Sequence, residues 1–542
     1  MLLAALLAPG FSAPAHASEA PEAVVEQGRL AGASESGLHV FMGIPYAAPP
    51  VGDARWRPPA PPVAWDGIRG ATTFGPSCIQ PPVPSPSLYF DPPEAISEDC
   101  LTLNIWAPED AEGAPVIVWI HGGSLRIGGS AEPMYDGASF AERGIVFVSI
   151  NYRLGVLGWL AHPELSVESP HHASGNYGLL DQIAALRWVQ GNIASFGGDP
   201  ANVTIMGESA GALSVTYLLT SPLARDLFHK AIAQSTNTRA VPALTRTVYG
   251  LTPAEEVGTE IAAAVGAGDL ATLRSMDAEM LTIAALMARF RPEGTIDGWS
   301  LTEQVVETFD AGRQAQVPLL TGFNDGENRA GLIPLPPAPA DAASYEAEIA
   351  RRYGDLAPEF LRLYPSSDIG ESMMATLRDA VFGWASEYLV DRHSAVGLPA
   401  YIYLFDHCDP AARAQEICAF HASELPYVFG QVGRDASLPP NWPRPEGAEE
   451  AALSSAMMDY WVSFARTGVP SSDGWADWPA YSPDQAYMRF AGEPIAGSDP
   501  LSGMFEMQEA LVSRRRENDQ QWFINVGVIA PVAPDIAGEP GP

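Results

Sequence analysis

Ser209 lies in Gly207-Glu208-Ser209-Ala210-Gly211, between the β-rich run 203–206 and an apolar segment of helical period marked by Leu213, Tyr217 and Leu218. A strand, a tight turn carrying a serine and then a helix is an arrangement that lifts a serine Oγ clear of a sheet. Gly207 and Gly211 let backbone segments pass where a Cβ would clash. A serine hydroxyl attacks a carbonyl only if a base within hydrogen-bond reach takes its proton and a third group holds that base in the right tautomer. Two later residues can supply these functions. His421 follows a loop after the apolar run 400–405, and Glu327 follows the run that ends at Gly322. Asp325 competes with Glu327 for the acid, and nine other histidines compete with His421. The oxyanion formed in the attack needs backbone N–H donors. Gly122-Gly123-Ser124 after an apolar strand can give them, and so can Ala210 at the head of a helix, where the dipole also favours negative charge.

These residues need a scaffold that brings them to one rim. Pro115-Val116-Ile117-Val118-Trp119-Ile120 is a continuous apolar run, as expected of a central strand covered on both faces. Residues 145–150 form a second, broken only by Ser149, and 101–106 alternate apolar and polar side chains. Residues 317–322 and 400–405 are later strand candidates, and 40–52 reads as small strands and turns. Leu179, Ile183, Leu186, Val189 and Ile193 recur at three and four, the spacing of an amphipathic helix. Strands separated by helical segments predict an α/β fold, a large, mostly parallel sheet with helices on both faces. Residues 241–300 and 330–395 have helical pattern and read as insertions walling the active site within one domain, 18–530. The run 79–94 is a proline-rich loop containing Tyr89 and Phe90, and 522–530 is a short apolar run expected to pack back on the body. The segment 531–542, rich in Pro and Gly, is expected to be a flexible tail.

Composition narrows the partners. The 542 residues include 65 acidic and 30 basic ones, a formal charge of -35, and Lys230 is the only lysine. Such a surface repels nucleic-acid phosphates and anionic membranes, so neither nucleic-acid binding nor stable membrane insertion is expected. The apolar stretch 2–7 is too short to span a bilayer. Residues 1–17 end in Ala15-His16-Ala17, a small-x-small cleavage pattern, and read as a signal peptide, although no Lys or Arg precedes Arg29. Four cysteines after such a leader permit two disulfides in an oxidising compartment, secreted or periplasmic. No cysteine and histidine set has metal-site spacing, and neither a metal nor another cofactor is expected.

Further motifs carry a resemblance: FMGIPYAAPPVG (41–52), SEDCLTLNIW (97–106), WIHGGS (119–124), NYRLGVLG (151–158), the run 175–212, GFNDGE (322–327), HASELPYVFG (421–430) and YWVSFARTGVP (460–470). Over about residues 24–490 the chain resembles the type-B carboxylesterase/lipase family, the cholinesterase-like α/β-hydrolases that include bacterial p-nitrobenzyl-type esterases. The resemblance implies an α/β-hydrolase fold and a serine carboxylesterase acting on a small-molecule ester through an acyl-enzyme, with monomer and dimer both open. It implies Ser209 as nucleophile, Glu327 as acid, His421 as base, and Gly123, Ser124 and Ala210 as oxyanion donors. It also implies Glu208 as a buried carboxylate beside the nucleophile and Cys78–Cys100 as a disulfide. Cys408–Cys418 would close a short loop before His421, without support from the family.

The departures are as informative. Ser124 stands where Gly or Ala is usual, and Leu125-Arg126 stands where aromatics are common. Phe90 occupies the place of the tryptophan that holds a quaternary ammonium in cholinesterases, which makes a choline ester a poor substrate. Arg126 either turns away to pair with a carboxylate or reaches the pocket, where it would favour esters carrying a free carboxylate, such as half-esters. A lipase is a rival reading, but the 78–100 loop is short and proline-rich for a lid. A non-enzymatic adhesion module is another, disfavoured because all three catalytic side chains are present.

Overall fold

A row of apolar runs forms the middle of one large sheet. In the computed structural model, which describes residues 20–434 and 437–533, the sheet has eleven strands. They are β1 (Ala33–Glu35), β2 (Leu38–Pro45), β3 (Thr102–Pro108), β4 (Ala114–Ile120), β5 (Val146–Ile150) and β6 (Gly198–Glu208). The rest are β7 (Lys230–Gln234), β8 (Leu319–Asn324), β9 (Ala400–Phe405), β10 (Ala486–Phe490) and β11 (Pro494–Ser498). Their spatial order is β1-β2-β3-β5-β4-β6-β7-β8-β9-β10-β11. From β5 through β10 every neighbouring pair is parallel, while both edges are antiparallel. This is the α/β-hydrolase fold, with helices flanking the sheet. The expected leader and residues 534–542 of the expected tail lie outside the described residues.

Parallel strands deliver their following loops to one rim. Ile120 at the end of β4, Glu208 at the end of β6, Asn324 at the end of β8 and Phe405 at the end of β9 all finish there. Ligands of open α/β sheets bind outside these carboxyl ends.

The alternating run around 101–106 is not half-exposed. Thr102–Trp106 is buried throughout, because the polar side chain of Asn104 is satisfied inside. Its Nδ2 donates to Ser130 Oγ at 3.1 Å and Ser149 Oγ at 3.0 Å, and its Oδ1 accepts from the Gly43 amide at 2.9 Å. Lys230-Ala-Ile-Ala-Gln234 carries no clear strand pattern, yet it forms β7 and is buried between helical layers. The predicted amphipathic helix spans Tyr177–Asn192. Its Asp181 receives a fork of two 2.7 Å bonds from Arg153, which pins the loop after β5. The 522–530 run does pack back on the body: Trp522 is buried and its indole N–H donates to Thr238 O at 3.0 Å. Cys78–Cys100 and Cys408–Cys418 are both bonded.

Candidate active site

Ser209 sits between β6 and the helix Ala210–Thr220, with φ 56° and ψ -118°. A positive φ is strained for any residue with a Cβ and costs on the order of 1–3 kcal/mol. The surroundings hold it there. The Ser209 amide donates to Gln234 O at 2.9 Å, and a Cβ on Gly211 would come within 2.0 Å of Ile120 O. The helix head therefore presses directly on the end of β4, and the turn has no room to relax.

His421 and Glu327 reach the same rim on two loops that are sewn together. The Gly326 amide donates to Ala419 O at 2.9 Å, and Asn324 Nδ2 donates to Phe420 O at 2.9 Å. His421 Nδ1 lies 2.5 Å from Glu327 Oε2, while Glu327 Oε1 accepts from the Asn324 amide at 2.9 Å. Glu327 is fully buried, so its carboxylate is aligned by these two bonds. Asp325 points elsewhere and accepts from Arg378 Nη1 at 2.6 Å. The Phe382 ring centroid lies 5.1 Å from that of His421, and the Tyr89 hydroxyl donates to the backbone carbonyl of His421 at 3.1 Å. His421 Nε2 is 3.0 Å from Glu208 Oε1, but the angle makes no hydrogen bond.

The loop after β4 coils left-handed through Gly123 (φ 100°), Ser124 (φ 57°) and Leu125 (φ 58°). Gly123 O accepts from the amides of Arg126 and Ile127, both at 3.0 Å, and a Cβ on Gly123 would lie 2.1 Å from Ile127 O. Among the described residues the amides of Gly123, Ser124 and Ala210 have no protein acceptor. Gly123, Ser124, Ser209 and His421 all line one open cleft.

Two expected pocket residues are absent from that wall. Leu125 is turned into the core, 0% exposed, and its carbonyl accepts from the Gly155 amide at 2.8 Å. The reversal carries Arg126 away from the wall, which is rejoined by Ile127 and Gly128. Arg126 makes no ion pair among the described residues either. Phe90 is likewise outside the wall, where its neighbours Tyr89 and Asp91 stand instead. The helical insertions contribute Leu332 alone to this wall; the loops 80–91, 122–135 and 421–442 make most of it.

Carboxylates dominate the electrostatics. Burial alone would lower the pKa of His421, but Glu208, Glu327 and Glu424 together push it up to about 9. Burial raises Glu208 to about 8 against the opposing pull of His421. Glu424 is also raised by burial, and its two oxygens accept from Asn324 Nδ2 at 2.6 Å and Gln234 Nε2 at 3.1 Å. Neither Glu424 nor Glu132, a further carboxylate in the cleft wall, stood out in the sequence among so many acidic residues. The three-residue spacing of His421 and Glu424 was the one local signal available.

The profile of the carboxylesterase family matches residues 19–503. The fumonisin B1 esterase of Sphingopyxis macrogoltabida is 39% identical over 479 residues, 85% of each chain. The para-nitrobenzyl esterase of Bacillus subtilis is 35% identical over 476 residues, covering 84% of this chain and 91% of that one. A solved structure of PNB esterase superposes with a TM-score of 0.78 at 32% identity, covering 90% of this chain and 99% of the other.

Proposed function

The chain belongs to the carboxylesterase family, and from that premise we propose that it hydrolyses small carboxylic esters through an acyl-enzyme on Ser209. Ser209 Oγ attacks the ester carbonyl while His421 Nε2 takes its proton. Glu327, on Nδ1, keeps the ring in the tautomer whose Nε2 is free and stabilises the imidazolium that forms. The amides of Gly123, Ser124 and Ala210 hold the tetrahedral oxyanion. Collapse breaks the bond to the alcohol oxygen, which leaves with the proton from His421. A water then attacks the acyl carbonyl, gives its proton to His421, and a second collapse frees the acid and returns that proton to Ser209. The observation that carries this reading is the opening of Ser209, on its strained turn, into the same cleft as a histidine braced by Glu327 at 2.5 Å. A para-nitrobenzyl ester, after the Bacillus relative, is the first substrate to assay. No Arg or Lys lines the cleft among the described residues, so it offers no cationic partner to the free carboxylate of a half-ester.

The pH profile follows from the carboxylates. His421 must be neutral to act as base, and its pKa is pushed up to about 9, so kcat/KM should climb through the neutral range and level off near that value. Glu208→Gln removes one anion beside the imidazolium, weakens the charged form and should move this limb toward acid. A wild-type limb at or below the ordinary imidazole pKa of about 6.5, or one unmoved by the substitution, contradicts the assignment.

We also propose export to an oxidising compartment, secreted or periplasmic, supported by the leader-like residues 1–17 and by the pairing of all four cysteines. Non-reducing peptide maps of protein from its own host should find both pairs oxidised. Replacing Cys78 and Cys100 together by serine should cost about 3 kcal/mol in chemical denaturation, given the 22-residue separation. Free thiols in the native protein would count against export.

A further inference from the structure

Resting on the esterase reading, we propose that Asp91 and Glu132 form an anionic subsite in the cleft that selects esters bearing a protonated amine. Both line the same wall as Ser209, and neither has an arginine or lysine partner among the described residues. Glu132 is built in place. Its Oε1 accepts from the Gly129 amide at 3.0 Å, and Tyr135 lines the same cleft. A third carboxylate, Glu208, is 3% exposed and lines the same cleft, where its Oε1 lies 3.0 Å from His421 Nε2. Burial, with Asp91 adding to it, raises Glu132 to about 8, the behaviour of carboxyl groups placed together without a counter-cation. An ammonium group would supply both the missing charge and N–H donors for these oxygens.

Glu132 also lines a second cleft, whose wall includes Glu35, Asp136 and Glu142, with Arg434 as its one Arg or Lys among the described residues. The whole chain carries -35, so cationic substrates are drawn in from a distance. Phe90 is not in the wall, so recognition here is by hydrogen-bonded charge and not by that ring's face.

The test compares four esters of one acid with alcohol chains of equal length. These end in a primary amine, a neutral hydroxyl, a trimethylammonium and a carboxylate. The aminoalkyl ester should exceed the hydroxyl ester in kcat/KM by about tenfold or more. The trimethylammonium ester should gain less, lacking N–H donors, and the carboxylate ester should fall below the neutral one. The amine preference should survive in about 0.5 M salt, which screens the distant field but not a desolvated contact. It should shrink toward one in Asp91→Asn and in Glu132→Gln. Because each variant is judged by a ratio between two substrates, a partly unfolded preparation does not mimic the result. A ratio near one in the wild type, a ratio abolished by salt, equal gain by the trimethylammonium ester, or a ratio unchanged in both variants overturns the subsite. Failure to cleave any of the four would instead overturn the esterase reading itself.

Discussion

Replacing Ser209 by alanine should lower kcat by about five to six powers of ten, because members of a nucleophile and base pair work only together. The protein should stay folded, and relief of the positive φ will be slight, since alanine keeps the Cβ at φ 56°. A fluorophosphonate should modify the wild type once, at Ser209, and leave Ser209→Ala unlabelled by intact-mass analysis. Residual rate should come from substrate binding and from the Gly123, Ser124 and Ala210 amides proposed as oxyanion donors, which the substitution leaves in place. Labelling at any other residue, or a loss of only a few fold, removes Ser209 as nucleophile.

Glu327→Gln should cost about four powers of ten in kcat with KM little changed. Glutamine fills the same volume, but the uncharged amide can present an N–H to Nδ1 and favour the wrong ring tautomer. It also removes the charge that stabilises the imidazolium in the transition state. Asp325→Asn is the matched control. Asp325 is bound to Arg378 Nη1 at 2.6 Å and is partly exposed, so its loss should disturb the rim by a few fold at most. The reverse pattern would move the acid two residues along the chain and require a loop geometry different from the one held by the Gly326–Ala419 bond.

Much of the site is legible before folding because its signals are local. The strand, glycine-flanked serine and helix occupy one short stretch, so residue types alone specify the elbow around Ser209. The apolar runs at 115–120 and 145–150 announce buried parallel strands for the same reason, and their shared direction implies a common rim. The strand Lys230–Gln234 was not legible, because its burial comes from the helices that cover it and not from its own side chains.

The sequence by itself determined the fold class and the strand, glycine-flanked serine and helix around Ser209, carried by short-range patterns; it left Asp325 open beside Glu327, and only the structure sets Glu327 against His421 Nδ1 while Asp325 turns to Arg378. Only the tertiary structure decided which of two adjacent aromatics meets His421. Tyr89 does so through a bond spanning 332 residues, and no local periodicity encodes that register. It likewise decided that Arg126 leaves the cleft while Glu132, six residues on, lines it. The physical reason is the left-handed coil at Ser124 and Leu125, which turns one side chain out and the next into the core. That coil is held by the Gly155 amide on Leu125 O and by the burial of Leu125, contacts made only once the loop has closed on the core.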